Sequence, residues 1–249
     1  MPYLELPDRQ IYYNDTGDGP PVVLLHNGFY SSQTWDAIRD SLAENHRVID
    51  YDRIGYGRST HIETSLPDID MVKEGSRELE AVLDRLDIKT ASVIGHCLGG
   101  AIGLSFAARN PHRISKIVAV AVGYFGDLKR LIAADMTFVP FEQIPPILRQ
   151  MLMDMHGERY APRFWENIRH HKSSYIMTEA YDLRPTLKQL EMPLLIVNGD
   201  RDFYFEVGHP LAVYEKKRRT AELWIVPGCG HDVHMEHPDL FVRGVQRFL

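Results

Sequence analysis

Six short apolar runs recur along this chain, at 22–25, 48–51, 91–94, 117–122, 194–197 and 223–226. Each is continuous instead of alternating and is bounded by turn residues, the pattern of a strand buried on both faces of a mostly parallel sheet. Parallel neighbours need crossover connections, and helical spacing supplies them. Met71, Gly75, Leu79, Val82, Leu83 and Leu86 fall three and four apart, as do Trp35, Ile38 and Leu42. The expected fold is α/β, a doubly wound, mostly parallel sheet with helices on both faces. Ahead of it, 4–6 and 10–13, joined by Pro7-Asp8-Arg9, predict an antiparallel hairpin at the sheet edge.

One stretch breaks this rhythm. From 123 to 185 no strand pattern is visible, and the composition turns soft and aromatic, with Met136, Phe138, Phe141, Tyr160, Phe164, Trp165, Tyr175 and Met177 among its residues. Pro140, Pro145, Pro146 and Pro162 divide it into short helices. The expected organisation is a core of 1–122 and 186–249 carrying a helical cap insert of 123–185. At 249 residues nothing demands a second independent core.

Composition narrows the function classes. A hydrophobic share of 44%, a charged share of 25% and a formal charge of −6 describe an ordinary globular chain without the basic footprint of a nucleic-acid binder. The one basic cluster, Lys216-Lys217-Arg218-Arg219, reads as a solvated helix end. The N-terminus lacks a basic start followed by an apolar stretch, and the longest apolar run is far short of the roughly 20 residues that span a bilayer. No membrane partner and a cytoplasmic location are expected. Two cysteines do not make a disulfide framework, so a reducing compartment suits the chain. No feature sets an oligomeric state.

The chemistry centres on Gly95-His96-Cys97-Leu98-Gly99-Gly100. A buried strand precedes it and helical composition follows, from Leu98 to Arg109, so Cys97 falls on a sharp strand-to-helix turn whose flanking glycines leave room for the middle side chain to project. A thiol there is a candidate nucleophile, or else a small buried residue. A nucleophile needs a base and a group to orient that base. His231, in Pro227-Gly228-Cys229-Gly230-His231, lies on a Gly-rich loop after a strand. Asn198-Gly199-Asp200-Arg201-Asp202 places carboxylates on another such loop at the same sheet edge. The turn His26-Asn27-Gly28-Phe29 follows a third strand. Its Gly28 N–H, or that of Phe29 if the loop is threaded one residue differently, and the Leu98 N–H are the expected donors to a tetrahedral oxyanion.

With these loops the chain resembles the α/β-hydrolase superfamily over essentially its whole length. The resemblance also takes in Trp35 and the loop Asp52-Arg53-Ile54-Gly55-Tyr56-Gly57-Arg58-Ser59. It implies the order nucleophile, acid, base. It also implies that the acid is the last residue of Gly-x-x-Asp, hence Asp202 with Asp200 in reserve, and that the Asp52 loop sets backbone geometry. Two positions depart from the pattern. Asn27 stands where the oxyanion turn usually has glycine, and Cys97 where most relatives have serine. Dienelactone hydrolases use a Cys-His-Asp triad, and polyhydroxyalkanoate synthases carry a Gly-x-Cys-x-Gly-Gly box that this hexapeptide resembles locally.

The resulting expectation is a hydrolase of a carboxylic ester, thioester or lactone, with a Cys97 acyl-enzyme, His231 as base, Asp202 as its orienting acid, and no cofactor. Phe29, Tyr30, His96, Tyr124 and Phe125 are the candidate substrate contacts, with His96 alternatively packed against neighbouring strands. An acyltransferase using the same acyl-enzyme, a ligand-binding receptor or inactive relative on this fold, and a serine hydrolase carrying an engineered thiol remain as alternatives. Cys229 is a small residue in a tight turn or the partner of Cys97 in an oxidation switch. His231, His234 and His237 do not follow the usual zinc spacings, so no metal is expected. Arg159, Arg163, His170 and His171 either meet an anionic substrate or face water.

Overall fold

In the computed structural model, residues 2–62, 70–126, 128–171, 181–217 and 219–249 are described. Tyr175, Met177, Arg218 and the side chains of His170 and His171 lie outside the described set. The strands are β1 (Tyr3–Glu5), β2 (Gln10–Thr16), β3 (Pro21–Leu25), β4 (Arg47–Tyr51), β5 (Ala91–His96), β6 (Ile114–Val120), β7 (Leu194–Gly199) and β8 (Ala221–Val226). They form one sheet in the order β1-β2-β4-β3-β5-β6-β7-β8. The pairs β1/β2 and β2/β4 are antiparallel and every pair from β4 onward is parallel. The expected mostly parallel sheet is therefore present, with its antiparallel hairpin at the edge. β6 begins three residues before the apolar run, because exposed Ser115 and half-buried Lys116 interrupt the hydrophobic pattern at its start. It ends two residues early, where Ala121 adopts φ 47° and turns the chain.

The helices are α1 (Asp36–Ala43), α2 (Met71–Arg85), α3 (Leu98–Arg109), α4 (Leu128–Thr137), α5 (Pro146–His156), α6 (Ala161–His171), α7 (Arg184–Lys188), α8 (Gly208–Lys217), α9 (Val233–Glu236) and α10 (Pro238–Phe248). α2 begins where Asp70 accepts hydrogen bonds from Val72 N and Lys73 N, satisfying two donors that the first turn would otherwise leave open. It turns Leu79, Val82 and Leu83 inward against α3. α3 is buried almost all round, as its apolar composition requires of a helix held between a sheet and a second helix. On the opposite face Trp35, Ile38 and Leu42 pack with Phe241 and Val245 of α10. A third cluster, with Phe138, Phe141, Leu152, Phe164 and Trp165 at its centre, belongs to the helical segment between β6 and β7. Among the described residues no helix is long and apolar enough to cross a membrane.

The parallel register brings the carboxyl ends together. Leu25 pairs with Gly95, His96 with Val120, and Gly199 with Val226. The loops after β3, β5, β7 and β8 therefore open on one edge of the sheet, where α/β folds gather their ligands.

Candidate active site

Cys97 occupies the single residue between β5 and α3. Its backbone lies at φ 51°, ψ −110°, a region that costs a side-chain-bearing residue roughly 1–3 kcal/mol. The turn is held in place by Cys97 N–H donating to Val120 O (2.8 Å) and by Ala101 N–H donating to Cys97 O (3.1 Å). It is also tight. A Cβ on Gly95 would stand 2.5 Å from Gly100 Cα, and one on Gly99 would stand 2.1 Å from Leu25 O, so neither position tolerates alanine without backbone movement. Cys97 is half-buried while His96 and Leu98 on either side are buried, so the elbow turns its thiol outward.

His231 and Asp202 arrive from the loops after β8 and β7. His231 Nδ1 lies 2.9 Å from Asp202 Oδ2. The other carboxylate oxygen, Oδ1, accepts from Tyr204 N–H (2.8 Å) and Phe205 N–H (3.1 Å), which fixes the plane of the group. Cys97 lies near enough to the same imidazole to act on its charge. Burial is the largest influence on the imidazole and opposes its protonation, but the Asp202 carboxylate and Cys97 outweigh it and hold His231 well above the ordinary range. Asp200, the reserve acid, is engaged elsewhere: its Oδ1 accepts from Gly228 N–H at 2.7 Å.

The turn after β3 is built around Asn27. Its side-chain Oδ1 accepts from both Phe29 N–H and Tyr30 N–H, each at 2.8 Å. Phe29 N–H is thereby committed, whereas Gly28 N–H makes no hydrogen bond among the described residues. Gly28 faces Leu98 closely, a Cβ built on it standing 3.8 Å from Leu98 Cδ2. Arg53, buried in the Asp52 loop, donates to the His26 and Asn27 carbonyls, while Arg53 N–H donates to His26 Nε2 (3.2 Å). That acceptor role leaves the His26 proton on Nδ1, 2.9 Å from Asn27 O. Burial, with Arg53 beside it, holds His26 neutral.

The expected substrate contacts divide. Phe29 and Tyr30 lie at the turn, Phe29 packing on Phe138 and Trp165 at ring distances of 5.6 and 5.5 Å. Three others are placed elsewhere. His96 is fully buried behind the base, its ring 4.8 Å from that of His231 and 4.7 Å from that of His234, so the packed alternative describes it. Tyr124 belongs to the main core at 1% exposure. Phe125 bridges to Asp182 and stacks on His209 at 4.0 Å, because the chain after Ala121 is drawn toward α7 and α8.

Two residues unforeseen in the sequence complete the surroundings. Tyr204 sets its ring 4.9 Å from His231, edge to face, with its hydroxyl 3.1 Å from Thr137 Oγ1 of α4. Asp232, next to the base, accepts from Tyr30 OH at 3.4 Å, and burial raises its carboxyl above the usual range. Tyr204 had a usable signal, being an aromatic two residues past the acid. Among the described residues, no three His, Cys, Asp or Glu side chains converge as a metal site.

A strained elbow, a loop histidine paired with a buried carboxylate, and a facing glycine turn on one sheet edge define an enzyme site of the hydrolase kind. The family profile described as alpha/beta hydrolase fold matches residues 20–238, and the chain belongs to that family. Its relatives include the 2-hydroxy-6-oxo-6-phenylhexa-2,4-dienoate hydrolase of Burkholderia cepacia, 26% identical over 98% of this chain and 92% of that protein. The pimeloyl-[acyl-carrier protein] methyl ester esterase of Nitrosospira multiformis is 27% identical over 96% and 97%. The crystal structure of the enol-lactonase from Burkholderia xenovorans LB400 superposes with a TM-score of 0.74 at 20% identity, covering 99% of both chains. The protein is thus an enzyme, an α/β hydrolase.

Proposed function

We propose that this enzyme hydrolyses a carboxylic ester, thioester or lactone through a thioester formed on Cys97. The observation that carries the reading is the 2.9 Å contact of His231 Nδ1 with Asp202 Oδ2, on an imidazole near enough to the strained Cys97 for each to act on the other. Cys97 Sγ attacks the carbonyl carbon while its proton passes to the His231 nitrogen that faces it. The oxyanion is met by Gly28 N–H and by Leu98 N–H at the positive end of α3. The C–O or C–S bond to the leaving group breaks, and that group takes the proton from His231. Water then attacks the thioester, giving one proton to His231. The C–S bond to Cys97 breaks, the acid departs, and the proton returns to sulfur. Throughout, Asp202 keeps the His231 proton on Nδ1.

A thiol suits this sequence because a thioester is readily discharged. The relatives' printed activities, a dienoate hydrolase and a methyl ester esterase, support small carbonyl substrates. The segment 123–185 serves as a cap whose aromatic cluster reaches the site through Phe29. Mixing the enzyme with an activated aryl ester, an enol lactone and an acyl thioester, and weighing the protein at early times, tests the reading. A mass increase equal to the acyl group on the peptide holding Cys97, lost in step with product formation, is expected. Turnover without any Cys97 adduct, retained in Cys97→Ala, overturns it.

A further inference from the structure

Four successive carbonyls of the turn after β3 each accept a hydrogen bond from a side chain. Arg53 holds those of His26 and Asn27, Tyr56 OH that of Gly28 (3.3 Å), and His156 Nε2 that of Phe29 (2.7 Å). Arg53 and Tyr56 belong to the Asp52 loop of the core. His156 is different. It is the last residue of α5, in the helical segment between β6 and β7.

The protonation of His156 follows from its neighbours. Gly57 N–H donates to Nδ1 at 2.9 Å, so Nδ1 is an acceptor and the proton of the neutral ring sits on Nε2, aimed at Phe29 O. The ring is 3% exposed and stacks on Phe164 with centroids 3.8 Å apart, so it has no room to turn toward water. One imidazole therefore joins α5 to the turn on one side and to the Asp52 loop on the other.

The consequence lies in the peptide planes. In a trans peptide the C=O and N–H point in opposite directions, so a plane held at both ends cannot rotate. The plane between Phe29 and Tyr30 is held by His156 at the carbonyl and by Asn27 Oδ1 at the N–H. The plane between Gly28 and Phe29 is held by Tyr56 and again by Asn27 Oδ1. The plane that carries Gly28 N–H is held at the Asn27 carbonyl alone, and among the described residues that N–H has no acceptor. Gly28 lacks the side chain that would stiffen its own torsions, so its orientation depends on the planes that follow it.

We infer that His156 is a positioning residue for the oxyanion hole, holding Phe29 so that Gly28 N–H meets the developing negative charge only when α5 is seated on the turn. This rests on the acyl-transfer reading above. The dependence concerns the transition state more than substrate affinity. Loss of a whole oxyanion donor costs about 10²–10³ in kcat, and misdirecting one costs a part of that.

The test compares two reactions of the same thiol. Acylation of Cys97 by an activated aryl ester passes through an oxyanion; alkylation by iodoacetamide does not. In His156→Phe, which keeps the stack on Phe164 and removes both hydrogen bonds, acylation is expected to slow about ten- to hundredfold, with KM within about twofold of the wild type and the alkylation rate unchanged. His156→Gln, which retains a donor toward Phe29 O, recovers more acylation than His156→Asn, whose shorter amide reaches only toward Gly57. Acylation and alkylation slowed alike, or both unchanged, overturn the positioning role, as do equal rates in the Gln and Asn variants. Should His156→Phe fail to fold, that last comparison decides. A wild-type enzyme that is alkylated at Cys97 but never acylated there overturns the acyl-transfer reading instead.

Discussion

His96 Nε2 lies 3.1 Å from the carbonyl oxygen of His231, so the residue beside the nucleophile carries the backbone of the base. Burial and the neighbouring His234 and His231 keep His96 neutral, with its pKa far below the ordinary range, which allows Nε2–H to donate steadily. The elbow and the loop after β8 are therefore one unit. His96→Leu removes that donor and leaves the His231 carbonyl open, which costs about 1–3 kcal/mol of stability. It also displaces the imidazole from Cys97, lowering kcat by about ten- to hundredfold. Denaturant unfolding and steady-state kinetics read both effects, and an His96→Leu enzyme with wild-type kcat would sink the linkage.

Asp202 accepts three hydrogen bonds, two from backbone N–H groups and one from His231 Nδ1–H. In Asp202→Asn the amide oxygen keeps the two backbone donors and the amide nitrogen faces His231 Nδ1. The imidazole proton then moves to the nitrogen facing Cys97, where it blocks proton abstraction. The same exchange in a serine triad costs about 10⁴ in kcat, and a loss of at least about a thousandfold is expected here with KM little changed. Activity within tenfold of wild type removes Asp202 from the proposed triad.

Cys229 is buried in the loop after β8, and burial together with Glu236 pushes its thiol up to about 12. Near pH 8 its thiolate fraction is then roughly one in ten thousand, and the nucleophile of alkylation is the thiolate. Native protein takes one iodoacetamide label, on Cys97, and Cys97→Ala takes none until denaturant is added. Peptide mass mapping decides it. Rapid native labelling of Cys229, or a disulfide to Cys97 under mild oxidation, would restore the switch that its spacing from His231 suggests.

Much of this architecture was legible because it rests on local chemistry. Continuous apolar runs located the six strands β3 to β8, and Gly95 and Gly99 marked a turn with no space for a Cβ. The chain order of Cys97, Asp202 and His231 anticipated residues that the sheet register brings to one edge. What escaped depends on partners distant in sequence. Nothing around His156 distinguishes a histidine at a helix end from one whose two ring nitrogens reach Gly57 and Phe29, 99 and 127 residues away. Asn27 resembled a defect in a glycine turn, whereas its side chain supplies the acceptor that the turn's own N–H groups need. Tyr124 and Phe125 are expected as substrate contacts, but Ala121 turns the chain into the core and toward His209.

His156 also leaves a mark on stability that is independent of catalysis. Burial brings its pKa down to about 4 in the folded protein, from the ordinary histidine value of 6.5. A histidine with a depressed folded pKa takes up its proton more readily when unfolded. Its contribution is therefore complete above about pH 6.5 and is lost as pH falls through the window down to about 4. His61 and Arg53 face the ring and push in the same direction. The same sign holds for His26, His96 and His234, while Glu78, Asp50 and Asp232, raised by burial, lose their contribution as pH rises. All six are shared by wild type and His156→Phe, so the difference between the two proteins isolates His156. At about 1.4 kcal/mol per pKa unit, the stability advantage of wild type shrinks by about 2–3 kcal/mol between pH 7 and pH 4. Urea unfolding of both proteins across that range measures it. Two parallel stability curves mean that His156 takes up its proton as readily in the fold as in the unfolded chain, and that the hydrogen bond from Gly57 to its Nδ1 does not hold the ring neutral.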